Sequence, residues 1–146
     1  MRSFLDTNIL VYADAGDEPV KQACAIALLR RHREAGTGVL STQVLQEFVN
    51  VALRKLRLPV ELIRERLAFY QRFDLVATTP TLIEAALDLH LLRGLSFYDA
   101  LIAQAATVSA CQQLLSEDMQ DGQLIKGVRI VNPFAKAAGL AGHAHQ

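Results

Sequence analysis

Ser3-Phe4-Leu5-Asp6-Thr7-Asn8 opens the chain, and Gln113-Leu114-Leu115-Ser116-Glu117-Asp118 stands near its end. Each is a short apolar run that stops at an acid among small polar residues. A short apolar run bounded by turn formers suits a strand buried on both faces. If the two are strands of one parallel sheet, Asp6 and Asp118 emerge at the same carboxyl edge, where open α/β sheets form their sites.

Working outward, the chain between them alternates helices with short strands. Glu18 to Glu34 reads as a helix with Val20, Cys24, Ala27 and Leu28 at apolar positions, stopped by Gly36-Thr37-Gly38. Val39-Leu40 is a short strand. Ser41 or Thr42 caps a helix running to about Arg57, where Leu58-Pro59 breaks it. Glu61 to Phe73 is a third helix and Leu75 to Ala77 a strand. Thr79 or Thr81 starts a helix ending near Gly94, and Ser96 caps another from Phe97 to Ala110. Ser116 to Gly122 is an acidic turn, and Val128 to Val131 is a last strand before Asn132-Pro133. This alternation predicts an α/β domain of three layers, α/β/α, around a central, mainly parallel sheet. It spans residues 1–134. Residues 135–146, rich in Ala and Gly, are expected to form a flexible tail, in which His143 and His145 receive no role.

Composition narrows the class. With 146 residues, 51% hydrophobic and 21% charged, the chain can bury a core and is not of disordered type. Cys24 and Cys111 are too few for a disulfide framework and are not spaced for zinc. The longest apolar run, Ala23 to Leu29, is too short to cross a bilayer, and Met1 to Leu5 contain no secretory leader. A soluble, cytoplasmic protein is expected. Lys+Arg and Asp+Glu number 15 each, which argues against binding nucleic acid by bulk charge. The cations are nonetheless clustered. Arg54, Lys55, Arg57, Arg64, Arg66 and Arg72 face only Glu61 and Glu65, and Arg30-Arg31-His32-Arg33 forms a second run. Both runs are either solvated helix faces or patches that guide a polyanion.

Four acids are candidates for chemistry, and each has a plainer use. Asp6 could simply form a turn. Asp99 lies three residues after Ser96, as in a capping box, at the helix end that favours an acid. Asp118 could shape the turn before Gly122. Glu47 sits too deep in its helix to cap it. It projects opposite the stripe Leu45, Phe48, Val49, Ala52 and Leu56, but between Val44 and Val51, which suggests a second apolar flank facing a cleft or partner. A solvated surface acid is the alternative. Gathered together, such carboxylates have one obvious use. Two of them about 4 Å apart repel by roughly 4 kcal/mol at an effective dielectric near 20. They therefore hold a hard cation or take up protons. A cation so held can generate a hydroxide-like nucleophile and neutralise a phosphodiester.

The pieces Phe4-Leu5-Asp6-Thr7-Asn8, Ser41 to Glu47, Leu95 to Ala100 and Ser116 to Gly122, in this order, resemble the PIN-domain nucleases, and more closely their VapC-type toxins of bacterial toxin–antitoxin pairs. The resemblance runs from Phe4 to Pro133. It implies cleavage of single-stranded RNA that depends on Mg²⁺ or Mn²⁺. It makes Asp6, Glu47, Asp99 and Asp118 the acidic quartet, with Asp6 and Asp99 as direct metal ligands and Asp118 binding directly or through water. Glu47 would act through water on the nucleophile. Thr7, Asn8 and Ser116 would support the ligands, and Asp121 is a candidate fifth acid. The resemblance also implies a homodimer and a small antitoxin protein whose tail crosses apolar grooves. The flank around Val44 and Val51 would suit such a groove.

Two other classes compete. A catalytically inactive PIN-like module would use its cleft only to bind RNA or protein, and would have no need of metal at the acids. A phosphotransfer protein of similar topology would want Asp-x-Asp or adjacent acids after its first strand, where this chain has Asp6-Thr7-Asn8.

Overall fold

The computed structural model describes residues 1–135. Six strands, β1 (Ser3–Leu5), β2 (Gly38–Ser41), β3 (Asp74–Val76), β4 (Gln113–Leu115), β5 (Leu124–Ile125) and β6 (Val128–Val131), form one sheet in the order β3-β2-β1-β4-β6-β5. All neighbours pair in parallel except β5 with β6. The helices are α1 (Thr7–Ala13), α2 (Pro19–Ala35), α3 (Thr42–Arg54), α4 (Val60–Tyr70), α5 (Pro80–Arg93) and α6 (Phe97–Val108). α1 packs on α2 and α3, and α3 on α4, while α5 packs on α6 and α6 on the sheet. The expected three-layer α/β/α fold with a mainly parallel sheet is the fold observed.

The central strands are buried on both faces: Phe4, Leu5, Val39, Leu40 and Ile130 are fully inaccessible. α6 is wrapped by protein on all sides, with every residue from Ala100 to Ala106 buried. Its run of alanines permits that close seating between α5 and the sheet. Phe48 of α3 meets the ring of Tyr70 of α4 edge-on at 5.3 Å, and both are buried.

The caps explain the boundaries. Ser41 accepts from Val44 N–H and Thr79 from Leu82 N–H, so these residues, not Thr42 or Thr81, cap α3 and α5. Gly36 and Gly94 end α2 and α5 in the left-handed conformation, at φ 68° and 69°.

Several expectations need correction. Thr7 and Asn8 are not turn residues. They begin α1, a seven-residue helix whose cap is Asp6. α3 stops at Arg54, before Arg57, and α4 at Tyr70, before Phe73. β5 was not expected; Lys126 and Gly127, both at positive φ, make the two-residue turn that folds it onto β6. Val44 is fully buried with Phe48 and Ala52, so it belongs to the core stripe of α3 and not to a second flank. Of the expected tail, all but Ala135 lies outside the described residues.

Candidate functional site

Parallel pairing brings the ends of β1 and β4 to one edge, and Asp6 N–H still donates to Leu115 carbonyl at 3.0 Å, so the pairing extends to the site itself. Asp6 is only 6% exposed. Its Oδ1 accepts from Thr7 N–H at 2.7 Å and its Oδ2 from the buried Ser116 hydroxyl, also at 2.7 Å. Ser116 Oγ accepts from Asp118 N–H at 3.2 Å, and the exposed Asp118 carboxylate accepts from Asn8 Nδ2 at 3.1 Å. Asp6, Ser116, Asp118 and Asn8 thus form one chain of hydrogen bonds across the strand ends.

The other two acids arrive on helices. β2 runs directly into α3, which carries Glu47. α6 returns to β4 and so starts at the same edge; Ser96 caps it by accepting from Asp99 N–H at 3.1 Å. Gln43, one turn before Glu47 and nearly buried, donates from Nε2 to Glu47 Oε1 at 2.8 Å and to the Tyr98 carbonyl at 3.3 Å. That amide ties α3 to the first turn of α6.

Electrostatics link the four. Burial pushes the Asp6 carboxyl up from 3.8 to about 6; hydrogen bonds from Ser116 and Thr7 oppose the rise, and the charges of Glu47 and Asp118 add to it. Burial also raises Asp99, against its Ser96 hydrogen bond and with the Asp118 charge. Asp118 therefore acts on both Asp6 and Asp99, and Glu47 on Asp6.

The residues offer oxygen donors only, the set a hard divalent cation takes. Among the described residues, no three Asp, Glu, His or Cys side chains stand close enough together to hold a metal as they lie. Two buried oxygens beside the acids, Thr7 Oγ1 and Asn8 Oδ1, have no hydrogen-bond partner. Buried oxygens without donors fit a hydrated cation, whose waters can supply them.

Asp121, the candidate fifth acid, makes a bond of its own to the last strand's end. Its Oδ1 accepts from Asn132 N–H at 2.8 Å, and neither Asp6 nor Asp99 is shifted by its charge. Sequence reasoning missed Gln43, whose only signal is its place one turn before Glu47. It also missed the brace on Glu117. Burial pushes that carboxyl up, but hydrogen bonds from Lys21 Nζ (2.8 Å) and the Tyr12 hydroxyl (2.6 Å) hold it below the usual range. The brace ties Glu117 to α1 through Tyr12 and to α2 through Lys21.

Of the cationic run, Arg66 is spent on a two-pronged bond to Asp14, while Arg54, Lys55, Arg57, Arg64 and Arg72 are exposed. Arg54 lies seven residues beyond Glu47, hence on the same face of α3 and about 10 Å along it. A cavity of about 330 Å³ lies apart from the acids and is lined by Ile26, Leu29 and Arg30 of α2 and Arg66, Phe69 and Tyr70 of α4.

A three-layer fold with acids set along the carboxyl edge of a mainly parallel sheet describes the class of protein. The chain belongs to the PIN domain family, whose model matches residues 3–120. Its fold is similar to that of a toxin–antitoxin complex from Klebsiella pneumoniae, at 20% identity and TM-score 0.66 over 90% of this chain and 97% of that one. It is also similar to VapBC2 from Rickettsia felis, solved bound to a DNA fragment from the promoter, at 22% identity and TM-score 0.64 over 90% and 98%. A third is the Mycobacterium tuberculosis toxin VapC20, described as cleaving the sarcin–ricin loop, at 20% identity and TM-score 0.61 over 80% and 91%. No curated protein matches the chain.

Proposed function

We propose that the protein is a divalent-metal-dependent endoribonuclease and the toxin of a toxin–antitoxin pair. The observation that carries this reading is Asp6: a carboxyl buried at the end of β1 and joined through the Ser116 hydroxyl to the loop that carries Asp118. Family membership and the fold shared with toxin proteins support it.

Asp6, Asp99 and Asp118 would hold Mg²⁺ or Mn²⁺, which when bound lowers the pKa of water and neutralises charge on the phosphate. Ser116 and the Thr7 amide fix the Asp6 oxygens, and Asn8 fixes Asp118. Glu47, aimed by Gln43, takes the proton of the attacking water. Asp121 serves as a staple of its loop.

A cognate antitoxin and a second copy of the chain are the proposed protein partners, with the α2–α4 cavity suited to an apolar antitoxin side chain. No helix among the described residues is long and apolar enough to cross a membrane, and the proposed location is the cytoplasm.

The test is to incubate purified protein with total RNA, with and without Mg²⁺, and to sequence the new ends. Discrete cuts that need metal and vanish in Asp99→Asn support the proposal. Metal-independent cuts, or none, refute it.

A further inference from the structure

Tyr98 sits between the α6 cap, Ser96, and Asp99, and is 67% exposed. Its neighbour Phe97 packs partly buried against the core, and the two rings meet at 5.7 Å and 65°, so the inner ring braces the outer one. Its carbonyl accepts from the same Gln43 amide that holds Glu47, which sets the Tyr98 backbone next to Asp99 in the chain and two hydrogen bonds from Glu47. Among the described residues, its hydroxyl makes no hydrogen bond.

The surroundings indicate what the ring is for. Its neighbours in the chain and through hydrogen bonds, Ser96, Asp99, Gln43 and Glu47, are polar, while the exposed apolar side chains nearest in sequence, Leu91 and Leu92, stand on α5. The chain has no net charge, and the four acids repel phosphates. The exposed Arg54 and its cationic neighbours supply charge for a polyanion, and uncharged contacts are the other source of affinity. Exposed aromatic faces supply these for single strands, because every base has a face to stack and an unpaired base is free to do so.

We infer that Tyr98 is a substrate-binding residue whose ring stacks on an unpaired nucleobase next to the scissile phosphate, selecting single-stranded over duplex RNA. This rests on the ribonuclease reading and adds to it a determinant of substrate form.

The test uses full-length protein and an RNA oligonucleotide spanning one mapped cut. Tyr98→Ala is expected to raise KM about 10- to 100-fold with kcat within about twofold, while Tyr98→Phe and Tyr98→Trp restore KM. Thermal midpoints should stay together, since the ring is exposed. The chain has no tryptophan, so Tyr98→Trp also installs a single fluorophore. Its emission should be quenched by single-stranded oligo(A) in EDTA, and much less by an oligo(A)·oligo(U) duplex. An unchanged KM in Tyr98→Ala, or emission indifferent to oligo(A), overturns the inference. Wild-type protein that cuts no RNA overturns the ribonuclease reading instead, and the quenching still decides on Tyr98.

Discussion

Replacing Asp6 by Asn should stabilise the metal-free protein, and should do so only where Asp6 is ionised. The side chain is 6% exposed, and its folded carboxyl titrates at about 6 against an ordinary 3.8. The folded state thus holds this proton more tightly than the unfolded one. Protonation favours folding below the unfolded value, and that advantage is lost as pH rises through about 6. The full difference is about 3 kcal/mol, of which about 2 falls between pH 4.5 and pH 8. Asn keeps both local bonds: its oxygen accepts from Thr7 N–H, and its amide can donate to the Ser116 hydroxyl, which is free to turn. The assay is urea denaturation of wild type and Asp6→Asn in EDTA at both pH values. The variant should gain about 2 kcal/mol on wild type between the lower and the higher pH, whatever its absolute offset. A constant gap would show that Asp6 ionises freely in the fold and would refute the desolvation argument.

Other expectations follow from the same geometry. Asp99→Asn should leave the thermal midpoint within a few degrees but abolish metal-dependent cleavage, since its cap comes from Ser96 and not from its own carboxylate. Glu47→Gln keeps an acceptor for Gln43 Nε2 and should fold normally, with kcat lowered about 100-fold or more and Mg²⁺ affinity nearly retained. Tyr12→Phe removes one of the two donors to Glu117 and should cost about 1 kcal/mol in denaturation, with a measurable fall in kcat/KM as the neighbouring Asp118 loosens. Phe48→Ala empties a buried site against Tyr70 and should cost about 3–5 kcal/mol, read by urea denaturation.

Much of this architecture is legible in local pattern. Phe4-Leu5 and Leu114-Leu115 read as buried strands because a parallel sheet covered on both faces demands unbroken apolar runs. α3, α5 and α6 announce themselves through Ser41, Thr79 and Ser96, whose hydroxyls satisfy helix-start amides. α1 was hidden because its cap is Asp6, a residue that forms turns and caps helices by the same bond to backbone N–H, and because seven residues carry too little periodicity. β5 is two residues long and exists only by pairing with β6. Val44 was misplaced because burial on α3 is decided by what packs over it, not by spacing alone.

The site divides the same way. The four acids could be proposed one by one, each beside a plainer use, but their mutual influence is tertiary. Gln43, bonded to Glu47, reaches Tyr98 across 55 positions, and Ser116, bonded to Asp118, reaches Asp6 across 110. No local pattern encodes those bonds. Asp99 is both a first-turn acid of α6 and a member of the acidic edge, so the capping interpretation and the functional one are compatible.

Calorimetric titration of Mg²⁺ into the metal-free wild-type protein at about pH 8, where Asp6 is ionised, addresses the gathering of these carboxylates around a cation most directly. The account predicts saturable binding that is lost in both Asp6→Asn and Asp99→Asn while each remains folded by circular dichroism. Equal binding in wild type and both variants, or no binding in wild type, would contradict it.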